Sequence, residues 1–141
     1  MNENASLFFV DRHVDSHIKE KKAFIEYGSN QKFITYADLH EQSSKLRHFF
    51  SKFKINREDR VIILMQDVIS YPIIFWGCLK SGVIPVLLNT LLSSEVVSEI
   101  INNSRAKAVF ISTGLLSSFE NSIKKNSSVK QIIEVGTKRS N

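Results

Sequence analysis

The 141-residue sequence has little of three residue types that shape folds and active sites: it holds one cysteine, two prolines and five glycines. A single cysteine excludes an internal disulfide and argues against a zinc cluster. The glycines are isolated, so the phosphate loops G-x-G-x-x-G and G-x-x-x-x-G-K-[ST] do not occur, nor does the nucleophile elbow G-x-S-x-G. The common signatures of nucleotide binding and of serine hydrolysis are therefore absent from the sequence.

Long hydrophobic runs and a strong charge of one sign are absent as well. The apolar segment near residues 71–79 is far shorter than the ~20 residues that span a bilayer. No charged-then-apolar leader opens the printed sequence, so we expect a cytoplasmic location and no membrane span. The net charge of +5 comes from basic residues interleaved with acidic ones, which argues against nucleic-acid binding.

The sequence does show a regular alternation of strand and helix patterns. Residues 61–65 form an unbroken apolar run, which is typical of a parallel strand covered on both faces. Further strands are predicted at residues 83–88, 107–112 and 129–135, with helices over about 70–81, 94–103 and 115–123. From Arg60 onward the order is β-α-β-α-β-α-β, which predicts a three-layer α/β fold with a mostly parallel open sheet and helices on both faces. Pro85 predicts either that regular strand pairing begins after it or that its strand borders the sheet.

A short β-hairpin is predicted to precede this alternation, with strands at residues 23–27 and 32–35 around Gly28-Ser29-Asn30. A helix follows, with Thr35 and Asp38 as its capping box. Residues 7–20 are predicted to form an amphipathic helix that carries His13 and His17 one turn apart, but no third ligand accompanies them and no metal site is predicted. We therefore divide the chain into an N-terminal arm or helix (1–20), an α/β subdomain (21–135) and a polar tail (136–141).

Ligands of parallel sheets bind at the carboxyl ends of the strands, which directs attention to the segments after Met65, Leu88 and Ser112. The first segment offers the carboxylate of Asp67, which we interpret as a cap of the turn or of the next helix. The other two offer Asn89-Thr90 and Ser112-Thr113-Gly114, and the latter fits a plain helix N-cap equally well. No titratable pair has the spacing of a general acid and base, and His40 and His48 receive no role. No catalytic residue and no metal ligand are predicted.

Six stretches together resemble the N-terminal part of the acyl-adenylate-forming enzymes, and in particular benzoate-CoA ligases and related aryl-CoA ligases. They are FFVDRHV (8–14), KKAFIEYG (21–28), ITYADL (34–39), REDRVIILMQD (57–67), FWGCLKSGVIPVLLNTLLSSE (75–95) and NSRAKAVFIS (103–112). They cover nearly the whole chain in the order and spacing of that family.

The resemblance implies an ATP-dependent reaction in which a carboxylic acid is joined to AMP with Mg-ATP and then transferred to the thiol of coenzyme A. The family performs it with a Ser/Thr/Gly-rich phosphate loop, acidic residues for ribose and metal, and a lysine on a mobile C-terminal domain, and none of these motifs occurs in this sequence. The resemblance therefore implies an N-terminal fragment that is inactive alone. Its partner would be the rest of the ligase chain, and ATP, Mg and coenzyme A would belong to the full-length parent.

Asn89, Thr90 and Ser93 are the weak candidates for lining a coenzyme A entrance, although a turn and cap role is favoured for them. Leu91 stands where some relatives have an arginine that can meet the coenzyme A phosphates, and leucine cannot do that.

Two alternatives remain open. The first is a naturally short, non-catalytic binding or regulatory module that pairs with a ligase or with itself. The second is a receiver-like or flavodoxin-like signalling domain, which fits the βα alternation but lacks the acidic cluster expected after the first strand. If the fold is only part of a larger one, exposed apolar surface is expected to cause self-association.

Overall fold

The computed structural model describes residues 4–28 and 31–136. The chain divides into two compact units. The first comprises Met1–Arg57 with Asp67–Val83, and the second comprises Glu58–Gln66 with Ile84–Asn141. Each unit has an apolar core of its own.

Helices and one hairpin make up the described part of the first unit. The helices are α1 (Ala5–Phe9), α2 (Tyr36–Lys52) and α3 (Ser70–Ser81). The hairpin pairs β1 (Lys22–Ile25) with β2 (Phe33–Thr35) in antiparallel fashion, which confirms the predicted hairpin. Its expected turn residues Ser29 and Asn30 lie outside the described residues, as do residues 137–141 of the predicted polar tail.

The ends of α2 and α3 follow from local sequence. The hydroxyl of Thr35 accepts a hydrogen bond from the Asp38 N–H (3.1 Å) and the Asp38 carboxylate accepts one from the Thr35 N–H (3.3 Å), so the predicted capping box is confirmed. Helix α3 ends at Gly82, whose φ of 70° favours glycine. The two helices approach closely at Gly77, where a Cβ would come within 2.8 Å of the Leu46 side chain.

The N-terminal arm departs from the predicted helix over residues 7–20. Helix α1 ends at Phe9, a 3-10 turn spans Asp11–His13, and turns continue to residue 20. Val10 leaves helical geometry and is buried against Ile34 and Leu39 in the core of the first unit. Tertiary packing of this one side chain therefore overrides the local helical pattern.

The start of α3 differs from the serine N-cap that Ser70, two residues before Pro72, would predict. Ser70 does not cap the helix, because its N-cap residue is Ile69, whose N–H donates to the Glu26 carboxylate (2.9 Å). Ile74, Gly77 and Cys78 of α3 are buried and its other residues are half-buried, which agrees with its largely apolar composition. Burial raises the pKa of the Cys78 thiol to about 12, which is typical of an unreactive core thiol.

The second unit contains a four-stranded parallel sheet and two helices in its described residues. The strands are β3 (Arg60–Leu64), β4 (Ile84–Leu87), β5 (Ala108–Ser112) and β6 (Gln131–Val135), in the spatial order β4-β3-β5-β6. The helices are α4 (Ser94–Ser104) and α5 (Leu116–Lys124). The strand that contains Pro85 borders the sheet, which is one of the two predicted alternatives. The other alternative is wrong, because Ile84 and Pro85 already pair with β3. The predicted parallel α/β class is confirmed.

Side chains that alternate along the strands build two buried faces. One face packs with α4 and α5 into a core that includes Ile62, Leu64, Val109, Ile111, Val97, Ile101, Phe119 and Ile123. The opposite face carries Val61, Ile63, Ala108 and Phe110, which are also buried. A sheet covered on both faces explains the unbroken apolar runs of β3 and β5. Val96 is 39% exposed although it is apolar, because it lies about 100° around the helix from the buried Val97.

Candidate functional site

The carboxyl end of the parallel sheet in the second unit is where the fold directs the search for a site. Three chain segments leave the sheet there, beginning at Gln66 after β3, at Leu88 after β4 and at Thr113 after β5. The sequence candidates Asn89, Thr90 and Ser93 belong to the middle segment.

The side chains of the middle segment serve its own backbone. The Asn89 side-chain oxygen accepts a hydrogen bond from the Leu91 N–H (2.8 Å), and the Asn89 carbonyl accepts one from the Leu92 N–H (3.2 Å). The Ser93 hydroxyl accepts from the Val96 N–H (3.4 Å) and caps α4. Thr90 is half-buried, whereas Leu91 is 90% exposed. The geometry thus uses Asn89 and Ser93 in a turn and a cap, and it presents an apolar leucine at the surface.

Hydroxyl groups join the ends of the other strands. Ser112 is buried, and its hydroxyl accepts a hydrogen bond from the Gln66 N–H (3.0 Å), so it ties β5 to β3. It was expected to serve equally well as a helix N-cap, but it makes no side-chain cap of the following helical turn. The Thr113 hydroxyl donates to the Val135 carbonyl (3.4 Å) and ties β5 to β6 in the same way.

The segment that follows β4 at the carboxyl end of the sheet carries one negative charge. Glu95 lies in the first turn of α4, where hydrogen bonds from its own backbone N–H and from the Ser93 and Ser94 hydroxyls lower its pKa. A carboxylate at this place repels phosphate groups. The segment from Asn89 to Glu95 therefore offers polar atoms and one negative charge, but no cation.

The described residues also bear on metals and membranes. Over residues 4–28 and 31–136, no group of three or more His, Cys, Asp or Glu side chains could hold a metal ion. His13 lies in the 3-10 turn and His17 in a later turn, so the expected one-turn spacing on a helix is not realised. None of the described helices is long and apolar enough to cross a membrane.

One cluster of charges was missed from the sequence. In the first unit the Asp11 carboxylate lies 2.6 Å from the Lys80 ammonium and 2.7 Å from Nδ1 of His40, for which no role was predicted. The Ser6 hydroxyl donates to the same carboxylate (3.2 Å), and the Lys80 ammonium donates to the His40 carbonyl (3.1 Å). We call Asp11, His40 and Lys80 the acid–base triad of the first unit.

Two members of the triad are largely shielded from solvent, whereas the His40 side chain is 38% exposed. The side chain of Lys80 is 5% exposed and that of Asp11 is 17% exposed. Burial alone would raise the pKa of Asp11, but the hydrogen bonds and charges of Lys80 and His40 outweigh it and lower that pKa. The sequence signal for this cluster was Lys80 itself, a charged residue in the otherwise apolar segment 71–80.

Comparison with known proteins places the chain in a family. A family model described as AMP-binding enzyme matches residues 10–140. The chain is 31% identical over 133 residues to a 4-hydroxybenzoate–CoA/benzoate–CoA ligase of Rhodopseudomonas palustris, a match that covers 94% of this chain and 24% of that protein. The chain thus spans about a quarter of that relative's length.

Solved structures agree on the fold. A benzoate CoA ligase from Burkholderia xenovorans superposes with a TM-score of 0.83 at 23% identity, over 94% of this chain and 26% of that one. The N-terminal domain of FACL13 from Mycobacterium tuberculosis gives a TM-score of 0.79 at 22% identity, over 94% of this chain and 34% of that one. With the family match over nearly the whole sequence, these results show that the chain belongs to the AMP-binding enzyme family, whose members include acyl-CoA ligases.

Proposed function

We propose that this chain is the N-terminal subdomain of an ATP-dependent aryl- or acyl-CoA ligase. In the reaction of such a ligase a carboxylate attacks the α-phosphate of ATP and releases pyrophosphate, and the thiol of coenzyme A then displaces AMP to form a thioester. The observation that carries the proposal is the family match over residues 10–140, together with relatives named as CoA ligases. An aryl substrate is favoured by the 4-hydroxybenzoate/benzoate ligase among those relatives.

The residues that this chain places at the carboxyl end do not by themselves fit ATP, Mg or coenzyme A. Asn89 and Ser93 are engaged by the backbone of their own segment, Leu91 is apolar, and Glu95 carries a negative charge. A polyphosphate needs cations or converging N–H donors, which must come from other parts of a ligase. We therefore propose that the chain is inactive alone, that Asn89, Thr90 and Ser93 shape only the wall of a coenzyme entrance, and that ATP, Mg and coenzyme A are used by the full-length parent.

The adenylation half-reaction tests this proposal directly. The purified chain is incubated with Mg-ATP, labelled pyrophosphate and benzoate, 4-hydroxybenzoate or a long-chain fatty acid, and the label that enters ATP is counted. We expect no more label in ATP than in a reaction from which the carboxylic acid is omitted. The Rhodopseudomonas palustris ligase under the same conditions serves as the positive control. Acid-dependent exchange by this chain alone would overturn the proposed inactivity.

The alternative of a short, non-catalytic module is favoured by one observation, namely that each of the two units has a core of its own. Reading the genomic sequence downstream of the codon for Asn141 separates the two proposals. An open frame that enters a Ser/Thr/Gly-rich loop supports the ligase subdomain, and a stop codon at that point supports the short module.

We also propose the arrangement of the chain and its partners that was expected from the sequence. Residues 1–20 act as an arm, 21–135 as the α/β subdomain and 136–141 as a tail, and the proposed site of action is the cytoplasm. The main partner is the rest of the ligase chain. Self-association through exposed apolar surface is proposed as well, because Phe24, Ile25, Tyr27 and Phe33 of the hairpin region are all exposed. Light scattering tests it, since a strictly monomeric species at high concentration would contradict it.

A further inference from the structure

A cavity of about 410 Å³ opens at the amino end of the sheet in the second unit. Its wall consists of polar and basic residues, namely Asn102, Arg105, Lys107, Ser127, Ser128 and Lys130. This volume falls within the range of small-molecule sites, which is roughly 300–1,000 Å³. The cavity lies at the opposite end of the strands from Asn89 and Ser112, so it is separate from the site considered above.

Arg60, Lys107 and Lys130 lie side by side at this end, each at the start of one of three neighbouring strands. The Lys107 N–H donates to the Arg60 carbonyl and the Lys130 N–H donates to the Lys107 carbonyl, both at 2.8 Å. Residues on one level of a parallel sheet point to the same face, and neighbouring strands are only about 4.8 Å apart. The face in question is the one that packs with α4 and α5, because Ile62, Val109 and Ile132 lie two residues further along the same strands. Like charges placed side by side in this way are unfavourable unless something compensates them.

Backbone carbonyl groups at or after the ends of the two helices accept hydrogen bonds from two of these basic side chains and so compensate only part of the positive charge. Arg60 donates through Nε to the Ser104 carbonyl at the end of α4 (2.7 Å), and the Lys130 ammonium donates to the Ser127 carbonyl beyond α5 (3.0 Å). Within residues 4–28 and 31–136, no carboxylate forms an ion pair with Arg105, Lys107 or Lys130. The cavity thus holds cations that the chain itself leaves without counter-charges.

The backbone at Arg105 sets where this side chain leaves the chain. The residue follows α4 in the left-handed region, with φ 52° and ψ 41°, a position at which glycine is the usual residue. An arginine there is less stable than glycine would be, because its Cβ crowds the following carbonyl group. Lys54 and Glu58 also have a positive φ, so at Arg105 this conformation ends α4 and starts the arginine side chain at the wall of the cavity.

We propose that this cavity binds a small phosphorylated molecule, with its phosphate oxygens held by Arg105, Lys107 and Lys130 and by the hydroxyls of Ser127 and Ser128. Guanidinium and ammonium groups form charge-assisted hydrogen bonds with phosphate, and the serine hydroxyls add neutral donors. The basic residues gather around one depression, which fits a small molecule better than an extended polymer, because a polymer would need a basic stripe along the surface.

A titration followed by two-dimensional ¹H–¹⁵N NMR tests the site on the full 141-residue chain. Inorganic pyrophosphate is added at constant ionic strength, with sodium chloride making up the difference. We expect saturable shifts in the amide signals of residues 102–107 and 127–130, and little change near Asn89. Parallel titrations with ADP and with adenosine separate the sources of binding. Equal affinity for pyrophosphate and ADP indicates recognition of the phosphates alone, and tighter binding of ADP indicates that the base contributes.

Variants distinguish a built site from general attraction to a basic protein. Lys107→Gln with Lys130→Gln should weaken pyrophosphate binding at least about tenfold. Lys45→Gln with Lys52→Gln removes the same charge from the exposed surface of α2 and should leave binding unchanged. Arg105→Gly should weaken binding without lowering the melting temperature, which excludes loss of folding as the cause. Non-saturable shifts spread over the basic surface, or equal losses in both double variants, would overturn the proposal.

Discussion

Each unit of this chain contains a cluster of charged side chains, but the two clusters differ in whether the charges are paired within the protein. In the first unit Asp11, His40 and Lys80 meet at hydrogen-bond distance in a triad whose Asp11 and Lys80 side chains are largely buried. In the second unit Arg105, Lys107 and Lys130 line an open cavity, and in the described residues no carboxylate pairs with them. The first cluster satisfies its charges internally, whereas the second leaves them available to a ligand.

This difference separates charges that hold the fold from charges that can serve a function. A buried ammonium needs its counter-charge whenever the protein is folded, so the triad should be sensitive to any change in a partner. Exposed cations of like charge gain little from one another, so their loss should cost the fold little or even stabilise it. The free energies of unfolding of variants in each cluster therefore test whether the two clusters differ in this way.

The largest effect is expected from Asp11→Asn. The amide has nearly the shape of the carboxylate but leaves the 5% exposed Lys80 side chain without a counter-charge. Removing one partner of a buried ion pair destabilises proteins by about 3 kcal/mol or more. Urea denaturation followed by circular dichroism should show this loss in the free energy of unfolding.

Two further variants control this measurement. Glu41→Gln breaks the exposed pair of Glu41 with Lys45 and should change the free energy of unfolding by less than about 0.5 kcal/mol. Adding Lys80→Met to Asp11→Asn removes the unpaired charge and should recover part of the loss. If Asp11→Asn costs no more than Glu41→Gln, the triad does not hold the fold.

A smaller effect is expected from acid. The pKa of Asp11 is lowered in the folded protein, so the stability that this carboxylate contributes is complete above its ordinary value of 3.8. It is lost as the pH falls below that value and through the lowered pKa of the folded state. The difference in unfolding free energy between the unmodified chain and Asp11→Asn should therefore shrink between about pH 5 and pH 2. If the difference in unfolding free energy stays constant over this range, Lys80 and His40 do not stabilise the ionised form of Asp11.

Much of the fold could be predicted because its signals are local. The apolar runs of β3 and β5 and the capping box at Thr35 each depend on a few neighbouring residues, and all were confirmed. Pro85 left two alternatives open, and only the strand order decides for the edge position. The arm over residues 7–20 was predicted wrongly, because the burial of Val10 against Ile34 and Leu39 depends on contacts that are distant in sequence.

The charged clusters could not be predicted for the same reason. Asp11 and His40 are 29 positions apart, and His40 and Lys80 are 40 positions apart. The basic cavity likewise collects residues that follow different helices and precede different strands. Only the strand order, which places Arg60, Lys107 and Lys130 on one level, turns a scattered positive charge into a cluster. A sequence without long-range pairing information shows each of these residues as an ordinary surface charge.

The smallest expected effect has the opposite sign and belongs to the second cluster. Arg105→Gly relieves the left-handed backbone at the end of α4 and removes one of several like charges, although the more flexible glycine stabilises the unfolded chain in part. We expect the free energy of unfolding to rise by about 1 kcal/mol or less. Lys107 does not have a positive φ, so Lys107→Gln relieves no backbone strain and should change the free energy of unfolding by less than about 0.5 kcal/mol. A clear loss of stability in Arg105→Gly would mean that the arginine holds the fold, and the contrast between the two clusters would then fail.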